Sequence, residues 1–395
     1  MSDPIKIKIR VDVIITLIFF ISISNVFGEK PYFQNRCLWV VRYSLTSKTS
    51  IDEMLQFAVQ YNFNHIFVQV RGRGDSLYRS FWVPRSEILK DEAFDPLEYV
   101  IQEGHKLQLN IHVWVNVYML WSAEKDPVDE HHLFNRHPDW LDAVKEESDK
   151  YLNTDERLAT DDSGQEGFYL APNHPRVNPY LLAVFKELVN NYNLDGVHLD
   201  YVRYKNEFHG YNPFGKEQYR SEYKSQNNFH SGFSKNILNK EWDSDYLMKR
   251  EEYLLNSITE LVLKLNSFIK KSNREITLSA AVKPNIEMAK MLYFQEWDMW
   301  LSGGLIDWVL VMNYSSNFQI FVDNISLIEK QMSKNEINKI VMGVALYNQT
   351  PENALKKIKY SYDAGFRGIA LFSYNIITEH INMMKPILSI NAMKE

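Results

Sequence analysis

One pattern constrains this chain more than any other. Eight times between residues 36 and 375, a short run rich in β-branched and aromatic residues is followed by a segment of helical periodicity. The runs are RCLWVVRYS (36–44), NHIFVQVRG (64–72), LNIHVWVNVY (109–118), LDGVHLDYVRY (194–204), EITLSAAVK (275–283), IDWVLVMNYS (306–315), KIVMGVALYN (339–348) and RGIALFSYN (367–375). Several helices announce their ends: Ser50 with Glu53 three positions on, Asp95-Pro96, Thr350-Pro351, and a stop at Gly365. A helix between successive strands carries the chain back to the same edge, so the strands run parallel. Eight such units close on themselves. The expectation is an α/β fold, a (β/α)₈ TIM barrel over residues 35–390, with two long βα insertions at about 119–175 and 205–245. A doubly wound open sheet would want a glycine fingerprint in its first turn. RGRGDSLY supplies Gly72 and Gly74 but lacks the third glycine.

Residues 1–28 fall outside that pattern. Lys6, Lys8 and Arg10 precede an apolar run from Val13 to Ile23, and SNVFGEKP follows. A basic start, a short apolar run and small residues near a cut describe a secretory signal peptide and an exported protein. The run is short for a bilayer span, so an uncleaved signal anchor is the alternative and the one membrane contact expected. Cys37 is the sole cysteine, which rules out an intrachain disulfide. A net charge of −6 gives no footprint for nucleic acid.

Alternation assigns each strand residue to the barrel lumen or to the helix layer. On the third strand, Ile111, Val113, Val115 and Val117 form one row; His112, Trp114, Asn116 and Tyr118 form the other, expected to face inward. The same parity turns Gln69 and Arg71 inward on the second strand. On the fourth it turns His198, Asp200 and Val202 inward and Tyr201 outward. Thr277, Ser279 and Lys283 follow on the fifth, Met312 and Tyr314 on the sixth, and Tyr347 on the seventh. One bulge would flip a row. Polar side chains therefore converge near the strand C-terminal ends, where active sites of this fold lie. Asp200 is the lone inward carboxylate. Asp195, at the opposite end, is expected to anchor its turn.

Carboxylates among aromatic rings and amides suit glycoside cleavage, which uses two carboxyl groups. Asp200 is the central catalytic candidate and Asp75, in the loop after the second strand, the second; Glu207 is next in line. Gln69, Arg71, Asn116, Tyr118, His198, Arg203, Tyr204, Lys283, Asn313 and Tyr314 are the candidate substrate-binding residues, for an oligo- or polysaccharide. No cofactor is expected. The sequence has no HExxH or GxSxG motif. A metal-dependent hydrolase using His112, His198 and Asp200 is one alternative. A sugar-binding barrel without turnover is the other.

FVQVRGRGDSLYRS, HVWVNVY, NRHPDWL, LDGVHLDYVRY, WLSGGLIDWVLVMNY and GIALFSY, in that order, resemble the barrel motifs of the bacterial glycosyl-hydrolase-like family 10. The resemblance spans roughly residues 35–380. It implies a (β/α)₈ glycosidase, with some members linked to cell-wall peptidoglycan. The fourth strand is also similar to the chitinase-type family 18 signature D-G-x-D-x-D-x-E, and departs from it instructively. Asp195, Gly196 and Asp200 match, His198 replaces an aspartate, and Val202 stands where the catalytic glutamate belongs. Valine carries no proton to give, so Asp200 takes the catalytic expectation.

Overall fold

A computed structural model describes residues 32–144, 166–226, 244–272 and 274–392. Residues 1–28, read from the sequence as a signal peptide, lie outside the described residues. Ten strands are present in the described chain: β1 (Asn35–Val40), β2 (His65–Arg71), β3 (Asn110–Asn116), β4 (Met119–Trp121), β5 (Phe168–Tyr169), β6 (Gly196–Asp200), β7 (Thr277–Val282), β8 (Trp308–Met312), β9 (Ile340–Ala345) and β10 (Gly368–Phe372). Eight form a closed parallel barrel in the order β1-β10-β9-β8-β7-β6-β3-β2. They coincide with the eight runs read from the sequence. β4 and β5 pair antiparallel inside the first insertion.

Register follows from burial. Ile111, Val113, Val115 and Val117 are fully buried under the helices. Each such side chain contributes about 1.5–3 kcal/mol relative to exposure. A one-residue slip would trade that row for His112, Trp114 and Asn116, so the alternation fixes the pairing. The lumen holds a separate, smaller cluster of Cys37, Trp39, Phe67, Trp114, Leu310, Val341 and Ala370.

Polar residues at strand starts lock the barrel floor. Asn64 Oδ1 accepts the Arg36 amide at 2.8 Å, Asp195 Oδ2 the Ile111 amide at 2.7 Å, and Asp307 Oδ2 the Leu278 amide at 2.8 Å. Each belongs to the turn before one strand and holds the first amides of its neighbour. Asp195 also binds His105 Nε2 at 2.7 Å, so it anchors its turn as expected.

Helix ends follow their caps. Asp95 caps Pro96–Lys106 by accepting the Glu98 amide, and Thr350 caps Pro351–Asp363. Gly365 sits at φ +94° just past that helix, a conformation L-residues resist. The first helix differs from the expectation. It spans Lys48–Gln60, and its capping box is Ser47 with Ser50 rather than Ser50 with Glu53. The serine nearer the strand makes the reciprocal pair, so the helix begins earlier. The second insertion carries the helix Pro213–Gln226, and Ser244–Lys271 follows it. The two insertions clasp each other: Asn212 Nδ2 donates to Asp139 O and Leu141 O, both at 2.8 Å. The Gly210 amide donates to Asp142 Oδ1 at 3.1 Å. Among the described residues, no helix is long and apolar enough to cross a membrane.

Candidate active site at the barrel mouth

Asp200 ends β6 in register with Asn116, two pairs above Trp114 and His198 and so on the same face. It points into the upper lumen. Its Oδ2 accepts the Trp114 indole N–H at 3.0 Å, and its Oδ1 accepts the Tyr201 amide at 2.7 Å. Only 7% of the residue is exposed. Burial pushes its carboxyl up to about 6, against the pull of the Tyr201 amide, Arg203, Trp114 and Lys283.

Beyond Asp200 the alternation breaks. Tyr201 adopts φ +50°, a left-handed backbone that turns the chain by one position. Val202, expected to face the lumen, is instead fully buried in the outer core. Tyr201, expected to face the helices, turns to Arg203, whose guanidinium lies 5.1 Å from its ring. Arg203 holds a second carboxylate. Its Nη2 donates to both Glu166 oxygens, at 3.0 and 2.9 Å, and its Nη1 to the carbonyls of Tyr204 and Lys205. Glu166 also accepts the Tyr169 hydroxyl at 2.8 Å. Burial raises the Glu166 carboxyl, but Arg203 and Tyr169 outweigh it and hold Glu166 below the usual carboxylate value.

Lys283, just past the end of β7, completes the charged group. Its Nζ lies 4.5 Å from the Tyr293 ring centre. Burial and Arg203 lower its ammonium to about 8, while Glu166 and Asp200 pull the other way. Both carboxylates therefore act on one lysine. Opposite them is a wall of rings: Tyr314 meets Trp39 edge-on at 6.3 Å and Phe372 at 5.7 Å. Tyr347 stands edge-on to Tyr314 at 6.5 Å, and 55% of it is exposed. Burial and then Asp200 push the Tyr314 hydroxyl well up.

The other expected residues take different places. Gln69 and Asn116 lie behind Asp200: Gln69 Oε1 accepts the Arg42 amide at 3.3 Å, and Asn116 donates to Gly72 O at 2.8 Å. Arg71 does not face the lumen. The β2–β3 register shifts between Gln69 and Arg71, which moves Arg71 beside the outward Val115. There its guanidinium is fully buried and donates to the carbonyls of Asn116 and Val117. Tyr118 is also turned outward and gives its hydroxyl to Asn178 Oδ1 at 2.8 Å. Tyr204 is sealed in the core against Phe294. Asn313 bonds Phe321 O and Asn324 on the helix Phe318–Gln331, away from the mouth. Glu207 is exposed on the second insertion.

His198 is inward but sits below the site, wholly buried. It accepts the Trp39 indole N–H at Nε2 and bonds Ser279 Oγ through Nδ1, and burial lowers it to about 3. His112 bonds His65 at 3.0 Å. These histidines are occupied with other protein groups in layers beneath Asp200. Among the described residues, no three His, Cys, Asp or Glu side chains converge as metal ligands. Asp75 lies in the loop after β2 and is fully engaged. It pairs with both terminal Arg42 nitrogens, at 2.7 and 2.8 Å, and accepts from Ser86 Oγ and the Arg73 amide. Burial would raise its carboxyl, yet Arg42 and Ser86 hold it below the usual value. An ionised carboxylate locked in a bidentate pair is a poor proton donor.

The architecture has counterparts. In structure the chain is similar to the glycoside hydrolase domain of PgaB (BpsB) from Bordetella bronchiseptica, with TM-score 0.64 at 10% identity, covering 91% of this chain and 99% of that one. It is also similar to the catalytic domain of β-amylase from Paenibacillus polymyxa, with TM-score 0.56 at 11% identity, covering 89% and 94%. At those identities the likeness is one of fold. In sequence it is 25% identical over 242 residues to the glycosyl hydrolase YngK of Bacillus subtilis (strain 168), covering 59% of this chain and 40% of the relative. It is 26% identical over 164 residues to the glycosyl hydrolase DigH of Escherichia coli (strain K12), covering 40% and 35%. The chain thus spans less than half the length of these relatives. A family model, glycosyl hydrolase-like 10, matches residues 34–361, most of the barrel. The chain belongs to the glycosyl hydrolase-like 10 family.

Proposed function

We propose that this protein hydrolyses glycosidic bonds in a bacterial polysaccharide, with peptidoglycan glycan strands as the first candidate, and that Asp200 passes the proton. One observation carries this reading: two carboxyl groups at the mouth are shifted in opposite directions. Asp200, at about 6, keeps a protonated fraction near neutrality, while Glu166 is held ionised by Arg203. Glycoside cleavage needs one of each. Asp200 gives its proton to the leaving oxygen as the C1–O bond breaks. The ionised Glu166 faces the positive charge that develops at C1. The exposed Tyr347 and the ring wall behind it offer a stacking surface for the sugar.

The test is turnover of defined glycans by purified protein. Asp200→Asn is expected to lower the rate by roughly 10²–10⁴-fold while glycan binding persists. Equal rates in variant and parent would end the assignment. Glu166→Gln should lose activity comparably, and the anomer released, read by NMR, reports whether Glu166 attacks C1 or activates water. Activity that survives exhaustive chelation removes the metal-dependent alternative. Binding without turnover in the parent protein would favour the sugar-binding barrel instead. The basic and apolar N-terminal run supports export to the periplasm, cell surface or medium. N-terminal sequencing of the exported protein would read the cut.

A further inference from the structure

The two segments that carry the ring wall are tied to each other. Residues 313–317, after β8, bear Tyr314; residues 346–350, after β9, bear Tyr347. Neither segment has helix or strand of its own, so its backbone carbonyls need partners from elsewhere. Three successive carbonyls of the first segment find them on the second segment and the helix that follows it, Pro351–Asp363. Asn348 Nδ2 donates to Tyr314 O at 2.8 Å, Lys357 Nζ to Ser315 O, and Asn353 Nδ2 to Ser316 O at 2.8 Å. Gln349 gathers the donors. Its Oε1 accepts from Lys357 Nζ at 2.5 Å and from Asn353 Nδ2 at 2.9 Å, and its Nε2 donates to Ala345 O at the end of β9.

Lys357 is the member that packing does not explain. The buried face of its helix runs through Ala354, Lys357, Ile358 and Ser361, where burial alone would favour an apolar side chain. The lysine is fully buried, and among the described residues no carboxylate pairs with it. Its Nζ meets oxygens of uncharged groups and the Phe321 ring, whose centre lies 5.5 Å away. Burial lowers the ammonium to about 8, which leaves it mostly charged at neutral pH. A buried cation without a counter-charge is unfavourable, whereas methionine would fill the same space without that penalty. What the ammonium supplies is a two-pronged donor, and charge makes each of its hydrogen bonds stronger than a neutral one.

The rings stand on these tied segments. Tyr314 is anchored against Trp39 and Phe372, and Tyr347 leans on Tyr314 and Phe372 with more than half of it exposed. Contacts on one side steady the Tyr347 ring; its position depends on the backbone that carries it. We infer that Lys357, with Asn348, Gln349 and Asn353, is a positioning latch that joins the two segments into one unit and fixes Tyr347 beside Tyr314 for a sugar ring. The tie stands on the hydrogen bonds alone; its use rests on the reading of the ring wall as a sugar platform. Lys357 touches no substrate and acts through Tyr347. With the latch cut, the ligand must order the segment as it binds, and affinity falls.

Lys357→Met in the full chain removes the donor and keeps the volume. Hydrogen exchange read by mass spectrometry should show residues 313–317 and 346–350 exchanging about tenfold faster, with the barrel strands unchanged. KM for purified peptidoglycan glycan strands should rise about fivefold, with a smaller change in kcat. In a Tyr347→Ala background the same substitution should add almost nothing, because the ring it positions is gone. Asn348→Ala combined with Asn353→Ala, at two residues that are not buried, should reproduce both results and serves where Lys357→Met does not fold. Unchanged exchange in the two segments, faster exchange throughout the barrel, or a KM effect that persists in full without Tyr347 would overturn the latch. A KM indifferent to Tyr347→Ala would refute the sugar platform instead, and exchange alone would then decide the tie.

Discussion

The Trp114 indole N–H donates to Asp200 Oδ2 at 3.0 Å, across the seam between β3 and β6. The same hydrogen reaches Asn116 Oδ1 at 2.9 Å, and Asn116 is itself fastened to Gly72 O. The indole therefore favours the ionised form of a carboxyl that burial otherwise holds protonated. Removing the donor in Trp114→Phe should raise the Asp200 carboxyl by about one unit above 6, given the worth of a hydrogen bond to a charged group. If Asp200 acts in its protonated form, the basic limb of kcat/KM moves up by the same amount. A limb that stays in place would show that another group limits the rate.

Asp200 also governs stability. Its folded carboxyl, at about 6, lies above an unfolded carboxyl near 3.9, so the folded state keeps a proton that the unfolded state has lost. Its contribution is fully favourable below about pH 4 and is lost as pH rises through 6, a change of about 3 kcal/mol. Asp200→Asn removes that slope. Urea denaturation between pH 4 and 7 should show the variant's stability declining less with pH than the parent's. Parallel curves would mean that Asp200 titrates normally.

Asp75 behaves oppositely. Both partners of its pair with Arg42 are about nine-tenths buried, with side-chain exposures of 10% and 8%. Its depressed carboxyl gives stability that is fully present above the unfolded value and lost as pH falls from there through the lower folded value. Asp75→Asn leaves a buried guanidinium without its counter-charge, at a cost of about 3–5 kcal/mol. The expected result is a marked fall in denaturation midpoint with no displacement of the pH–rate profile. A displaced profile with unchanged stability would return Asp75 to the catalytic set.

The contrast between Asp200 and Asp75 shows what the sequence could carry. Parity along β6 placed Asp200 in the upper lumen, because a regular strand transmits facing from residue to residue. It failed one residue later at Tyr201, whose φ is +50°, and on β2 between Gln69 and Arg71, where the register shifts. Neither irregularity falls on a glycine or proline: the residues at the breaks are Val70 and Tyr201. Glu166 was beyond reach for another reason. It lies before β5 in the first insertion, off every barrel strand, and only the fold brings it to Arg203. A polar loop offers no period from which to argue. The strand-end carboxylate and the inward rings of Tyr314 and Tyr347 were legible; the partner carboxylate was a matter of tertiary structure.

Tyr347 tests that wall directly. More than half of it is exposed, and its ring is propped edge-on by Tyr314 and by Phe372 at 6.0 Å. An exposed ring held by two others is a rigid platform for the flat face of a sugar. Tyr347→Ala should raise KM by about tenfold with a smaller effect on kcat, and Tyr347→Phe should restore most of the loss. A fall in kcat alone, unrescued by phenylalanine, would assign the hydroxyl rather than the face.

Gly196 opens β6 for a reason visible only across the barrel floor. A Cβ there would lie 2.0 Å from His112 Nδ1. His112 has no room to yield, being 1% exposed, stacked on Phe67 at 4.4 Å and bonded to His65. Gly196→Ala must displace that ring or part β3 from β6, at a cost of about 2–3 kcal/mol or more. His112→Ala alone opens a cavity and loses the bond to His65, so it too destabilises. Combined, the two should cost clearly less than their sum, because the alanine methyl then enters the space the imidazole left. A double-mutant cycle by denaturant unfolding reads this coupling. Strict additivity would mean that the imidazole does not demand the glycine, and that the strand start tolerates a side chain for some other reason.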